Sequence, residues 1–188
     1  MGLNNGTITN AVQVDGGYFG KGMSFDGDGD YITFNSDFIG DGDDTICAWI
    51  YPLDFGGGGG APIIGNGDSR FLLLGSRLYF YSPTLIYTSI TAITLDEWQH
   101  VCVSREGNGD SILYVNSVEE KSGNSGVPTS GGNVVISANS GTNSFNGSID
   151  DVMIFNRSLS ENEIRAMYAN SSTKYLNASV SMAEGTRD

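Results

Sequence analysis

Cations are scarce in this chain. Its 188 residues carry nine Lys and Arg against 22 Asp and Glu, a formal net charge of −13. Nine scattered cations make no basic patch, which argues against nucleic acid and an anionic membrane surface as partners. Such acidity suits a calcium site, a cationic partner, a salty habitat or a plain solvated surface. No stretch approaches the ~18 consecutive apolar residues of a membrane span, and no signal peptide opens the chain. Long helical patterns are nearly missing. There is one histidine, and no Ser/His/Asp, Cys/His or metal-hydrolase spacing surrounds it. The sequence therefore argues against those catalytic constellations.

Glycine is abundant, at 27 residues, and Tyr and Phe number nine each. Period-two alternation is the dominant pattern. It predicts strands over 23–26, 30–35, 44–52, 62–66, 70–75, 77–82, 86–93, 98–106, 111–117, 133–138 and 145–157. Turn chemistry separates them: Gly-Asp-Gly at 27–29, five glycines at 56–60, Gly-Asn-Gly at 107–109 and Ser-Gly-Gly at 130–132. One helix begins at Ser160, where Ser160 and Glu163 make a capping box and Ile164, Met167 and Tyr168 line one face. Beyond Asn170 the pattern dissolves. Many short strands and one short C-terminal helix predict an all-β antiparallel fold, a sandwich or jelly roll. The length suffices for one domain with a real core, set at residues 1–170, with a polar tail over 171–188. The opening MGLNNG and the closing SMAEGTRD read as cut ends, so the expectation is a domain from a larger chain.

Two cysteines, Cys47 in TICAWI and Cys102 in HVCVSR, each sit mid-strand. They are either buried free thiols or a disulfide between adjacent strands. Five glycosylation-type sequons, at Asn5, Asn146, Asn156, Asn170 and Asn177, point to the oxidising alternative, although Asn/Ser/Thr-rich chains also produce them by chance.

Four segments in order carry a family likeness: GKGMSFDGDGDYITF, DDTICAWIYP, EWQHVCVSREG with ILYVNS, and FNGSIDDVMIFNRSLSENEI. Over residues 5–170 the chain resembles the laminin-G-like, concanavalin-A-like jelly-roll superfamily, on the branch that includes pentraxin-like domains. The resemblance implies a Cys47–Cys102 disulfide and an extracellular or cell-surface setting. Two departures matter. Arg105 stands where pentraxins carry a tryptophan, and SANSGTNSF replaces their acidic cluster for paired calcium ions, so phosphocholine binding is not implied.

The run DGDGD at 26–30 opens like an EF-hand loop but fails as one, because Tyr31 stands at the obligatory glycine and strands flank it. Jelly rolls of carbohydrate-binding type hold one structural calcium between an early and a late acid. Here that implies Asp26 with Asp150, Asp151 as a competitor, the Gly27 carbonyl, and Asp28 or Asn5 as a further ligand. Two carboxylates brought together call for a cation; the alternative is that both accept backbone N–H bonds at turns. Asp41, Asp43 and Asp44 form a second, solvent-facing acidic turn.

Glucanases of this fold carry a Glu-x-Asp-x-x-Glu-like strand, and none is present. Their chemistry needs two carboxylates across a cleft, whereas the glutamates here fall in turns, at a hairpin end or in the helix. No catalysis is expected. Carbohydrate binding is the leading reading. In RLYFYSPTLIY, Leu78 and Phe80 point to the core while Tyr79 and Tyr81 point outward, with Tyr87 on the next strand and Asn66, Arg70 and Arg77 near in sequence. Aromatic faces stack on sugar rings, and amides and guanidinium groups pair with hydroxyls. Trp49 and Trp98 match family core positions and are left out of the site. A protein-interaction or adhesion module, its tyrosines covering a sheet face without a glycan, is the runner-up, since both need the same scaffold.

Overall fold

The computed structural model describes residues 5–184 apart from 38, 58, 68, 84, 129–131 and 140–142; for 85–87, 138–139, 143 and 174–184 it describes the backbone only. In chain order the strands are β1 (Gly6–Thr9), β2 (Val12–Val14), β3 (Gly22–Asp26), β4 (Tyr31–Phe34), β5 (Asp44–Pro52), β6 (Ala61–Gly65), β7 (Arg70–Leu74) and β8 (Arg77–Ser82). They continue as β9 (Leu85–Thr88), β10 (Gln99–Arg105), β11 (Asp110–Val115), β12 (Val118–Asn124), β13 (Val135–Ile136), β14 (Ala138–Asn139), β15 (Asn143–Ser144) and β16 (Asn146–Phe155). One helix follows, α1 (Glu161–Glu184). Sheet I runs β1-β4-β13-β6-β7-β8-β9, sheet II runs β12-β11-β10-β5-β16-β3-β2, and β14 pairs with β15. The pairing is antiparallel, and the two seven-stranded sheets make a jelly-roll sandwich.

The alternation works as expected in β8, where Leu78, Phe80 and Ser82 are buried and Arg77, Tyr79 and Tyr81 are half-buried on the other face. In contrast, β10 is buried at every residue and β5 at nearly every one. Both are covered twice: by the inter-sheet core on one side and by α1 on the other, which is why TICAWI and HVCVSR read as nearly continuous apolar runs. The inter-sheet core gathers Ile46, Ala48, Ile50, Val101 and Val103 from these strands against Ile64, Phe71, Leu73 and Phe80 of sheet I.

Several elements differ from the expected strands. β1, β2 and β12 carry few apolar residues, and their alternation is too weak to read. The strand expected over 133–138 breaks at Ser137, held at φ 74° with its N–H donating to the Ile63 carbonyl. The helix starts behind the Ser160–Glu163 box, with the Ser160 N–H donating to Glu163 at 2.9 Å, and continues past Asn170 to Glu184.

One acidic residue is not where the sequence puts it. Asp44 is 2% exposed and accepts two hydrogen bonds from the guanidinium of Arg105, itself fully buried, which also donates to the Gly40 carbonyl. Burial pushes the Asp44 carboxyl up from its ordinary range, and Arg105 pulls against that. Asp41 and Asp43 are exposed, as expected.

Candidate functional site

The register of β7 and β8 assembles a patch on the outer face of sheet I. Arg70 lies opposite Tyr81, Leu72 opposite Tyr79 and Leu74 opposite Arg77, and directly opposed residues share a face. The Arg70 guanidinium sits over the Tyr81 ring at 5.7 Å from its centroid, a cation–π contact that fixes both groups. Arg77 donates from Nη1 to the Ser89 carbonyl at 3.2 Å. The five-glycine run ends against this patch: a Cβ on Gly60 would meet Leu72 Cδ1 at 2.7 Å, and Gly60 holds φ 80°. Only glycine closes the loop so near the strand.

One expected member does not join. Asn66 is 3% exposed; its amide donates to Asp37 and the Ile39 carbonyl, and its Oδ1 accepts from the Ser69 N–H. It pins the loop before β7 and has no face for a ligand. Tyr87 lies opposite Phe80 in the β8–β9 register; its side chain lies outside the described residues.

The outer face of sheet II is occupied by the protein itself. Cys47 and Cys102 are directly opposed and joined as a disulfide, beneath Leu159, Ile164 and Met167. Trp49 is buried between two aromatic neighbours, stacked on Tyr18 at 3.5 Å and on Tyr168 at 5.6 Å, and its indole N–H donates to Ser171. Trp98 is half-buried and meets Tyr18 and Tyr51 edge-on. His100 is fully buried against Trp49, Tyr168 and the Cys102 sulfur. Burial pushes its pKa down to about 4.

That shift has a measurable consequence. The unfolded chain binds a proton near pH 6.5 that the folded chain accepts only near 4, so stability is complete above 6.5 and falls as pH drops toward 4. The loss is expected to reach about 2 kcal/mol by pH 5. Urea titrations at pH 7 and pH 5 on the native protein and on His100→Leu check it: the variant's profile must be flatter over this window.

The acidic residues expected to share a metal are separated. Asp26 lies opposite Asn146 in the β3–β16 pairing, and Asp150 is four residues further along β16, about 13 Å away at ~3.3 Å per residue. A calcium shell has ligands at roughly 2.4 Å, so Asp26, Gly27, Asp28, Asp150 and Asp151 do not fit one ion as a set. Each end is bonded locally. Asp26 Oδ1 accepts the Asp28 N–H, and Asp30 Oδ2 accepts the Asp26 N–H. Asp150 accepts from Phe19 and Asp151, the latter at φ 45° in a β-bulge. Gly17 lets the preceding loop close on Asp150, since a Cβ there would stand 2.7 Å from its Oδ2. Asn5 is exposed. Among the described residues one group of three His, Cys, Asp or Glu side chains has ligand atoms within 4.8 Å of one another, Cys47, His100 and Cys102, and its sulfurs are joined to each other.

The described glutamates are dispersed: 97 and 106 in turns, 119 and 120 on β12, 161, 163 and 184 on the helix. Glu120 is buried and accepts the N–H groups of Ile90 and Thr91, tying the β12 edge of sheet II to the segment after β9. Among the described residues no helix is long and apolar enough to cross a membrane.

Residues 26–165 match the family described as the concanavalin A-like lectin/glucanases superfamily. The chain belongs to that superfamily. Among curated proteins nothing matches it. Solved structures of concanavalin A-like form do resemble it. Domain 4 of AbnA, a GH43 extracellular arabinanase from Geobacillus stearothermophilus solved in complex with arabinotriose, is 19% identical at a TM-score of 0.72, over 87% of each chain. The binding domain of botulinum neurotoxin serotype G is 16% identical at a TM-score of 0.66 over 90% of this chain, which spans 47% of that one. A heptameric SAP-like pentraxin from Limulus polyphemus is 17% identical at 0.53, over 65% of this chain and 68% of its own. At these identities the likeness shows the concanavalin A-like fold alone.

Proposed function

We propose that this domain is a non-catalytic carbohydrate-binding module that takes a saccharide on the outer face of sheet I. The observation that carries this is the register-built patch of Arg70 over Tyr81 beside Tyr79 and Leu72. A flat apolar strip interrupted by fixed donors suits a sugar ring, which has one apolar face and a hydroxyl rim. The arabinotriose-bound arabinanase domain of the same form supports the reading, as does the dispersal of the glutamates. The cross-strand disulfide supports an extracellular or cell-surface setting, within a larger chain.

A glycan array run in calcium and again in chelator tests the proposal. Tyr79→Ala is expected to weaken any hit about tenfold, or 1.4 kcal/mol. A folded protein that binds no glycan rejects it. An adhesion or protein-interaction module is the second reading, favoured by Ile8 at 54% and Val12 at 60% exposure on the edge strands β1 and β2. A structural calcium is a separate proposal, and the register divides it between the Asp26 turn and the Asp150 bulge. A melting midpoint raised by calcium over chelator supports it, with Asp26→Asn and Asp150→Asn reporting which end holds the ion; an unchanged midpoint rejects it.

A further inference from the structure

Charge is distributed unequally between the two sheets. The seven strands of sheet I read GTIT, YITF, VI, APIIG, RFLLL, RLYFYS and LIYT, without one Asp or Glu. Their only charged residues are Arg70 and Arg77, both on the outer face. The strands of sheet II carry Asp26, Asp44, Asp110, Glu119, Glu120, Asp150 and Asp151. In a chain of net charge −13, sheet I is a strip with positive charge alone.

The two arginines also differ from most of the other described cations, Lys121 on β12 of sheet II being the further one without an ion pair. Lys21 pairs with Asp15, Arg105 with Asp44, Arg157 with Glu163 and Arg165 with Glu161. Among the described residues neither Arg70 nor Arg77 has a carboxylate partner. Arg70 is held by a ring, and its buried Nε–H has no acceptor in the protein. Its terminal nitrogens are not tied to any carboxylate among the described residues. Arg77 gives one bond to a carbonyl and keeps its other donors.

From this we infer that the saccharide bound on sheet I is anionic, a uronic-acid-bearing glycan whose carboxylates meet Arg70 and Arg77 while its rings lie on Tyr79 and Tyr81. The inference rests on the carbohydrate reading and names the ligand class. Arginine's planar fork matches a carboxylate bidentately, and a ring-stacked guanidinium is already oriented for it. The register sets the arginines four residues apart on neighbouring strands, roughly 14 Å from each other, with Tyr79 between them. That spacing selects a chain bearing carboxylates at intervals over a single acidic sugar. The remote carboxylates of sheet II are screened over a Debye length of about 8 Å at physiological salt, so the local cations decide.

The test uses a panel of uronate oligosaccharides (galacturonate, glucuronate-containing and mannuronate) beside their methyl esters, which keep the rings and remove the charge. Titration calorimetry in low salt is expected to show at least one acid form binding tenfold or more tighter than its ester. Arg70→Gln and Arg77→Gln should each weaken the acid form more than the ester, so that the preference falls toward parity, and 500 mM NaCl should shrink it. Equal binding of acid and ester, lost in Tyr79→Ala, overturns the anionic ligand and leaves the carbohydrate reading standing. Binding of neither by folded protein overturns both. Capture of sulfated dextran with no uronate bound overturns the carboxylate assignment.

Discussion

Arg105→Met is expected to destabilise the domain by about 3–5 kcal/mol, because it leaves Asp44 charged and buried without its partner. Arg105 is fully enclosed, and its guanidinium holds both oxygens of Asp44 and the Gly40 carbonyl together. The loop before β5 thus closes on the end of β10. A denaturant titration at pH 7 reads the loss. Two further measurements separate the charge effect from lost packing. Asp44→Asn in the same chain should restore part of the stability, since the orphaned charge is gone. Lowering the pH should shrink the cost of the single variant, because Asp44, already raised by burial, takes up a proton. A single variant within about 1 kcal/mol of the native protein would mean that solvent reaches Asp44 and that the pair adds little.

Removing the disulfide by Cys47→Ala with Cys102→Ala is expected to cost ~4 kcal/mol in the chain-entropy description, for a bridge across 55 residues. The native bond should also resist dithiothreitol. Both sulfurs are fully buried beneath Leu159, Ile164 and Met167 of the helical segment, so reductant reaches them only when that cover lifts. Mass spectrometry after reduction, with and without urea, tests this. Prompt reduction in buffer would mean that α1 leaves sheet II readily. The helix and the bond therefore protect the same strip, and loss of the bond should make α1 the first element to open.

Much of the fold was legible, for a physical reason. The strands that build the inter-sheet core alternate strongly, and the capping box announces the helix. What escaped depends on the partner strand. The register of β9 is one case: that Tyr87 falls opposite Phe80 rather than Tyr79 or Tyr81 emerges only once β8 and β9 are paired. Asn66 reads as a loop amide; only the folded loop shows it holding Asp37 and Ile39. Asp44 reads like its neighbours Asp41 and Asp43, and Arg105, 61 residues away, removes it from solvent. The distance between Asp26 and Asp150 is a register fact, invisible until β3 and β16 are paired. One charge pattern also stays hidden in the sequence: that the strands of sheet I contain no acids is visible only once strands are assigned to sheets.

The helix covers one sheet and leaves the other bare, and this divides the molecule's labour. Sheet II carries the disulfide, the Trp49 stack and the buried Arg105–Asp44 pair. The outward residues of β7 and β8 contribute little to any of these. Substitutions at Arg70, Leu72, Arg77, Tyr79 and Tyr81 can therefore accumulate without endangering the core. The same separation makes these five positions a natural library for directed evolution, selected on the intact domain for binding to a chosen ligand.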